Sequence, residues 1–125
     1  VHLGQSDSQV AHARAVLGRA AIIGVTCHND LSLARNAVAA GADYLAFGAM
    51  FASPTKPQAQ LCSLDILRAA RAEFSLPLVA IGGISADTIA PIRNAGADAI
   101  AIISELWRSD DTLKRSQRLT QEIYT

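Results

Sequence analysis

The residues best suited to chemistry lie in the stretch "GAMFASPTKPQAQLCS", residues 48–63. Ser53, Thr55 and Lys56 surround Pro54, and a second proline follows. Two hydroxyls and an ammonium group in a proline-stiffened loop are suited to binding an anion. The loop is not a P-loop, because the GxxxxGK[ST] spacing is absent. A connection of this length in a compact fold is more often functional than a plain solvated loop, so we expect an anion site here.

Two later turns indicate the same kind of ligand. Gly82 and Gly83 in "GGIS" allow the backbone to approach a ligand closely, and Ser85 begins a helix whose free N–H groups attract an anion. Ile103 and Ser104 lead into "ELWRSD", where a short helix would add further N–H groups. Many (β/α)8 barrels bind phosphate in this way, with a glycine pair and the start of a helix in the turns after their last two strands. A phosphate-bearing ligand is therefore the prediction.

The two earlier turns also carry polar groups. Asp7 in "GQSD" is a short carboxylate suited to Mg²⁺, although a helix cap is the more frequent role for such a residue. In "TCHND", Thr26 offers a hydroxyl, and His28 is more often structural than catalytic at such a position. Cys27 has no activating neighbour in the sequence, so we expect a buried, inert thiol.

Short apolar runs alternate with helical patterns, and these elements must position the turns. The predicted strands are Val1–Leu3, Ala21–Val25, Tyr44–Phe47, Leu78–Ile81 and Ala99–Ile103, and the predicted helices are Gln9–Leu17, Leu31–Ala40, Leu64–Phe74, Asp87–Ala95 and Asp111–Tyr124. Ser63 and Ser85 are expected N-caps. The sequence "AGAD" occurs twice, and its glycines, Gly41 and Gly96, are expected to end helices.

Repeated β–α units over residues 1–125 predict one α/β domain with a parallel sheet. Two architectures are consistent with this pattern: an open doubly wound sheet and part of a TIM (β/α)8 barrel. An intact barrel needs roughly 250 residues. Because the sequence begins within an apparent strand and has about half that length, we expect a fragment of a barrel rather than a complete open sheet.

Composition excludes several classes of protein. Half of the residues are hydrophobic but only 5% are aromatic, which is typical of the Ala, Ile, Leu and Val of buried parallel strands. Eleven basic and eleven acidic residues give a net charge of zero, so a nucleic-acid partner is not expected. Neither a membrane span nor a signal peptide is predicted, and Cys27 and Cys62 lack CxxC spacing. We therefore expect a cytoplasmic protein with reduced thiols.

Five motifs in register, "GQSD", "GVTCHN", "GADYLAFGAMFASPTK", "VAIGGIS" and "AGADAIAIIS", resemble those of thiamine-phosphate synthase, a (β/α)8 barrel of thiamine biosynthesis. The resemblance covers essentially the whole chain and implies the carboxyl-terminal part of that barrel, about strands four to eight. It implies condensation of 4-amino-5-hydroxymethyl-2-methylpyrimidine diphosphate with 4-methyl-5-(2-phosphoethyl)thiazole, giving thiamine phosphate and pyrophosphate. Mg²⁺ and cationic groups would stabilise the departing pyrophosphate while the thiazole nitrogen attacks a pyrimidine carbocation.

The resemblance also implies roles for individual residues. Asp7 would be a Mg²⁺ ligand. Thr26, where the family commonly has serine, and Lys56 would contact the diphosphate and serve as the catalytic residues. The residues implied to hold the thiazole phosphate, here named the phosphate cup, are Ser53, Thr55, Gly83, Ile103 and Ser104.

Some departures from the family pattern are mild. The loop begins Gly48–Ala49 where the family usually has Gly-Pro, Ser53 replaces a threonine, and one residue is inserted near Asp30. A larger difference is that the family's amino-terminal half supplies a Gln/Arg/Lys cluster and an Asn-Asp pair, which have no counterpart here. We therefore expect these 125 residues to be inactive alone, and either to form a homo-oligomer or to pair with the missing half.

Two alternatives remain open. A thiazole tautomerase relative shares the barrel but is expected to carry a histidine where this chain has Ala49. A non-catalytic half barrel that only binds phosphate would need neither Asp7 as a metal ligand nor Lys56 as a diphosphate contact.

Overall fold

The computed structural model describes residues 1–108 and 110–125. In this part of the chain five strands alternate with five helices, as the sequence predicted. The elements are β1 (His2–Leu3), α1 (Val10–Leu17), β2 (Gly24–Thr26), α2 (Leu31–Ala39), β3 (Tyr44–Phe47), α3 (Leu64–Glu73), β4 (Leu78–Ile81), α4 (Ala86–Asn94), β5 (Ala99–Ala101) and α5 (Thr112–Tyr124). None of the described helices has the length and apolar character needed to cross a membrane.

The five strands form one parallel sheet in the order β1-β2-β3-β4-β5. Each strand therefore pairs with the next strand along the chain. In a doubly wound sheet the strand order reverses part-way across, and it does not do so here. The open doubly wound alternative is therefore wrong.

The hydrophobic core lies between one face of the sheet and the helices. Side chains alternate between the two faces of a strand, and the register aligns Val25, Leu45 and Leu78, which are all buried. From the helices, Leu67 and Ile92 complete this core at 0% exposure. On the opposite face, residues such as His2, Thr26, Tyr44, Val79 and Ala99 remain half-buried or exposed. The helices thus cover one face of the sheet.

Capping side chains define where several helices begin and end. The Ser63 hydroxyl accepts a hydrogen bond from Ile66 N at 3.3 Å, and Ser85 begins α4, which confirms both expected N-caps. Gly41 and Gly96 follow α2 and α4 with φ values of 92° and 108°. Such positive φ angles favour glycine, so both predicted helix stops are confirmed.

The repeated "AGAD" sequence forms a repeated structural contact, here named the Arg–Asp clamp. In the first clamp, Asp43 Oδ2 accepts hydrogen bonds from Arg14 Nη2 at 2.6 Å and from Ile23 N at 2.7 Å. Arg14 also donates to the Ala21 carbonyl. The clamp therefore joins α1 to the start of β2 and to the residue before β3.

The second clamp repeats this arrangement two β–α units later. Asp98 Oδ2 accepts from Arg71 Nη1 at 2.7 Å and from Leu78 N at 2.8 Å. Arg71 also donates to the Leu76 carbonyl at 3.0 Å. Both clamps lie at the amino ends of the strands. In α/β barrels the residues at this edge contribute to stability, whereas active sites lie at the opposite edge.

The first clamp predicts a pH dependence of stability. The Ile23 amide and then the Arg14 guanidinium hold the pKa of Asp43 below its usual value. A carboxyl group whose folded pKa is lowered stabilises the fold above its unfolded pKa of about 3.9, and this contribution is lost as the pH falls through the folded pKa. We expect Asp43→Asn to lower the free energy of unfolding at neutral pH and to flatten its decline below about pH 4.

Urea unfolding across this pH range measures the effect. Asp65→Asn is the matched control, because Asp65 pairs with Arg68 within α3 and its side chain is 88% exposed. Equal losses of stability in the two variants would contradict a special role for the clamp.

Candidate functional site

A cavity of about 330 Å³ lies at the carboxyl edge of the sheet. The turns after β2, β3, β4 and β5 line it, as expected for an α/β fold whose sites lie at the carboxyl ends of parallel strands. The predicted site residues that line the cavity are Thr26, Ser53, Thr55, Lys56, Gly83, Ile103 and Ser104. Of the predicted site residues, only Asp7 is outside this set. The structure thus brings the predicted phosphate cup and both predicted catalytic residues to one place.

Backbone hydrogen bonds hold the loop of residues 48–63 against the turn after β4. Met50 N donates to the Ile81 carbonyl and Phe51 N donates to the Gly82 carbonyl, both at 3.0 Å. The first part of the loop is therefore bonded to the end of β4 and to the turn that follows it. This fixes the position of the polar residues that follow in the loop.

Gly83 is where the backbone needs glycine most clearly. Its φ is +63°, and a Cβ atom there would lie 2.5 Å from the Phe51 carbonyl oxygen and 2.6 Å from that of Ala52. Both neighbours are backbone atoms, which cannot rotate away as a flexible side chain can. The turn after β4 and the loop after β3 can thus approach each other only because residue 83 has no side chain.

Hydroxyl groups form the rim of the phosphate cup. Thr55 Oγ1 and Ser104 Oγ are 3.0 Å apart, which joins the loop after β3 to the turn after β5. The Ser53 hydroxyl accepts a hydrogen bond from Thr55 N at 3.3 Å. These three hydroxyls come from segments up to 51 positions apart in sequence, and each can donate to an anion by rotating its hydrogen.

Lys56 supplies a positive charge at the cavity wall. Among residues 1–108 and 110–125 its ammonium group has no ion-pair or hydrogen-bond partner, and the residue is exposed. Its charge is therefore available to an anionic ligand. Because its stem is flexible and its ammonium is compact, Lys56 can adjust its position to a negative charge that moves during a reaction.

A polar network fixes Thr26 on the uncovered face of the sheet. His2 Nε2 is 2.7 Å from Thr26 Oγ1, and His2 Nδ1 is 2.9 Å from the Tyr44 hydroxyl. The His2 and Tyr44 rings stack with centroids 5.6 Å apart. Gln5 Nε2 donates to the Thr26 carbonyl at 2.6 Å. Thr26 is therefore held from two sides, through its hydroxyl oxygen and through its carbonyl.

Asp7 lies in the turn after β1 and does not line the cavity. Its Oδ2 accepts from Gly4 N at 2.6 Å, so the carboxylate closes its own turn. It does not cap α1, whose N-cap is Gln9 and has no side-chain cap bond. The helix-cap interpretation of Asp7 is therefore wrong.

The fit of Mg²⁺ can be judged from the acidic groups present. No group of three or more His, Cys, Asp or Glu side chains able to hold a metal occurs in the described part of the chain. Mg²⁺ nevertheless binds through one or two carboxylates together with substrate phosphates and water. The exposed Asp7 carboxylate, with Oδ1 not engaged by a described residue, fits one such ligand.

The other residues of the turn after β2 have different environments. Burial raises the pKa of the Cys27 thiol to about 12, and the side chain is 0% exposed. The expectation of a buried thiol is therefore confirmed, and the raised pKa disfavours the reactive thiolate. His28 lines the cavity, and its carbonyl accepts from Gly48 N at 3.0 Å, which fixes the backbone of this turn to the loop after β3.

Sequence reasoning missed two charged residues at the cavity. Glu105 and Arg108 line it beside Ser104. The predicted short helix is absent from this region: residues 103–108 form turns, and residue 109 of "ELWRSD" lies outside the described residues. No sequence motif marks either residue, because their place depends on how this turn folds back onto the cavity.

Comparison with known proteins agrees with this geometry. Residues 1–106 match the family model of thiamine monophosphate synthase. The chain is 52% identical over 119 residues to the thiamine-phosphate synthase of Thioalkalivibrio sulfidiphilus (strain HL-EbGR7), covering 95% of this chain and 56% of that protein. It is 50% identical over 121 residues to that of Methylobacillus flagellatus, covering 97% of this chain and 57% of that protein. The chain thus spans somewhat more than half the length of these relatives.

A solved structure shows the same relationship in three dimensions. The thiamine phosphate pyrophosphorylase from Pyrococcus furiosus superposes with a TM-score of 0.89 at 31% sequence identity, covering 99% of this chain and 58% of that one. The fold, the family model and the curated relatives therefore agree. The chain belongs to the thiamine monophosphate synthase family.

Proposed function

We propose that the whole protein condenses a pyrimidine diphosphate with a thiazole phosphate to give thiamine phosphate and pyrophosphate. The observation that carries the proposal is the cavity in which Lys56 and the hydroxyls of Thr26, Thr55 and Ser104 are brought together from three separate turns. Relatives named thiamine-phosphate synthase support the same activity. Because the chain spans little more than half of their length, the activity is proposed for the whole protein.

We propose further that these residues form strands four to eight of a (β/α)8 barrel. The sequential parallel order and the helices on one face support this architecture. The opposite face carries half-buried groups such as Val79 and Ile81, which the rest of a barrel would cover. Pairing with that remaining part would also protect the edge strands β1 and β5, so we prefer it to a homo-oligomer.

The cavity residues divide the reaction between binding and charge stabilisation. The phosphate cup holds the thiazole phosphate through hydroxyls and through backbone that Gly83 brings close. Lys56 and Thr26 contact the diphosphate of the pyrimidine. The bond between the pyrimidine methylene carbon and the diphosphate oxygen breaks, its electron pair leaves with pyrophosphate, and the thiazole nitrogen forms the new C–N bond. These residues accelerate the reaction by positioning and by charge stabilisation.

Asp7 is the residue of this chain that would hold Mg²⁺. When bound, the ion neutralises negative charge on the departing pyrophosphate. The two cysteines are unpaired and buried, which supports the reducing environment of the cytoplasm as the compartment.

Supplying both substrates to the whole protein tests the proposal. We expect thiamine phosphate and pyrophosphate to appear in equal amounts. Tautomerisation of a thiazole precursor without any thiamine phosphate would contradict it and favour the tautomerase alternative. Binding of the thiazole phosphate without turnover would favour the non-catalytic alternative.

The metal role of Asp7 leads to a separate prediction. Asp7→Asn keeps an oxygen that can accept from Gly4 N but removes the charge, so the turn should be preserved. We expect turnover to fall by about two orders of magnitude or more, with binding of the thiazole phosphate unchanged. Steady-state kinetics across a Mg²⁺ titration and calorimetry of the thiazole phosphate measure the two effects. Turnover equal to that of the unmodified protein would rule out the metal role.

A further inference from the structure

An arginine at the cavity lies beyond residues 1–106, which match the family model. We propose that Arg108 is a further phosphate-binding residue of this site and contacts the phosphate held by the cup. The identity of the ligand as a thiazole phosphate rests on the proposed function. The role of Arg108 rests on its position, its ion pair and the charges around it.

The turn after β5 places Arg108 at the cavity wall. Leu106 N donates to the Ile103 carbonyl at 3.1 Å, so residues 103–106 form a tight turn that contains the cup residue Ser104. This turn brings Arg108 to the same cavity that Lys56 and Ser104 line. Arg108 therefore lines the same cavity as the hydroxyl rim although it is distant in sequence from the loop after β3.

The ion pairs of Glu105 indicate that Arg108 is held only weakly. Glu105 Oε1 is 2.6 Å from Arg115 Nη1, and the side chains of Glu105 and Arg115 are 11% and 27% exposed. Glu105 Oε2 is 3.3 Å from Arg108 Nη1, and the Arg108 side chain is 63% exposed. The shorter and less exposed contact belongs to Arg115. Arg108 can therefore leave Glu105 for a ligand at little loss, because exposed ion pairs contribute little to stability.

The charges at the cavity favour this exchange. Of the described residues that line it, Lys56 and Arg108 are positive and Glu105 is negative. Arg115 pairs with Glu105, and the proposed function assigns Lys56 to the diphosphate, so Arg108 is the cation that remains for the phosphate at the cup. The cup hydroxyls supply hydrogen bonds without charge, and a guanidinium can bind two phosphate oxygens at once. Arg108 therefore adds the charge that a phosphate dianion at the rim requires.

Calorimetric titration of the whole protein tests the inference with three probes: inorganic phosphate, the thiazole phosphate and the corresponding thiazole alcohol. We expect Arg108→Gln to weaken binding of the two phosphate-bearing probes roughly ten- to hundredfold, as for the loss of a charge-assisted hydrogen bond. Binding of the alcohol should be unchanged. Arg108→Lys keeps the positive charge but cannot bind two phosphate oxygens at once as a guanidinium does. It should therefore recover part of the affinity for the phosphate-bearing probes.

Arg68→Gln is the matched control. Arg68 is also an exposed arginine in an i,i+3 ion pair, with Asp65 at 2.7 Å, and it does not line the cavity. This variant should bind all three probes like the unmodified protein. Unfolding curves of both Gln variants should match that of the unmodified protein, which shows that the fold is intact.

Glu105→Gln gives a prediction of opposite sign. It removes the carboxylate that competes with phosphate for Arg108, so phosphate binding should become tighter. Because the exposed Arg108–Glu105 pair is weak, this gain should be small, and weaker phosphate binding in this variant would contradict the proposed exchange of partners.

The outcomes distinguish this inference from the proposed function. If Arg108→Gln binds inorganic phosphate as tightly as the unmodified protein, the inference is wrong whether or not the protein makes thiamine phosphate. The inference is also wrong if the affinity for the thiazole alcohol falls as much as the affinity for the phosphate-bearing probes. If phosphate binding depends on Arg108 but no thiamine phosphate forms, the phosphate role stands and the proposed activity fails.

Discussion

Replacing Lys56 by methionine is expected to lower turnover of the whole protein by about two to three orders of magnitude. The ammonium lines the cavity and has no partner among the described residues, so its charge is free to stabilise the departing diphosphate. Methionine keeps much of the apolar stem and removes the charge. Because the phosphate cup is built from other residues, the affinity for the thiazole phosphate should change little. Rapid-quench measurement of pyrophosphate release measures the effect on the chemical step.

Lys114, the other lysine of the sequence, provides the control. It is exposed in the first turn of α5 and does not line this cavity. Lys114→Met should leave turnover unchanged. An equal loss in both variants would indicate a general effect of surface charge, and unchanged turnover in Lys56→Met would disprove the assigned role.

Gly83→Ala is expected to damage both the fold and the cup. The added Cβ would lie within 2.6 Å of two backbone carbonyl oxygens, and an alanine at φ +63° is strained in addition. Neither the loop after β3 nor the turn after β4 can yield without breaking hydrogen bonds between them. We expect the free energy of unfolding to fall by about 2 to 4 kcal/mol. Affinity for the thiazole phosphate should fall at least about tenfold, because the backbone separates from the ligand.

Gly41→Ala separates the steric effect from the effect of backbone conformation. Gly41 also has a positive φ, +92°, but no atom lies within 4 Å of its added Cβ. This variant should lose only about 1 kcal/mol and keep its affinity for the thiazole phosphate. Urea unfolding and calorimetry of both variants measure the difference. Similar losses of affinity would show that the close approach at Gly83 is not what forms the cup.

The sequence was sufficient to predict the order and type of all ten described elements, because the patterns that specify them are local. Apolar runs such as Leu78–Ile81 fall between helix signals, and Ser63 and Gly96 mark helix ends by their own backbone and hydrogen-bonding preferences. Parallel pairing then requires the turns after the strands to meet at one edge. This explains why the predicted site residues other than Asp7 were found together in one cavity.

The contacts of individual side chains were beyond prediction, both within single turns and between segments distant in sequence. The sequence does not reveal that Asp7 turns back to bind Gly4 N, because a helix cap and a closed turn require the same residue type. It likewise does not reveal that Arg108 returns to the cavity or that Arg115 holds Glu105 from α5. "AGAD" was recognised as a repeat, but its ion pairs depend on Arg14 and Arg71, which lie 29 and 27 positions before their partners.

The Arg–Asp clamps also bear on how such a protein can evolve. Each clamp joins two neighbouring strands at their amino ends, β2 with β3 and β4 with β5, and its arginine comes from the helix before the first of these strands, α1 or α3. A segment that runs from this helix to the second of the two strands can therefore be duplicated or recombined as a module without losing the contacts of its clamp. The loops at the opposite edge, including residues 48–63, can accumulate changes while the module stays folded. New ligand preferences can then arise without a matching loss of stability.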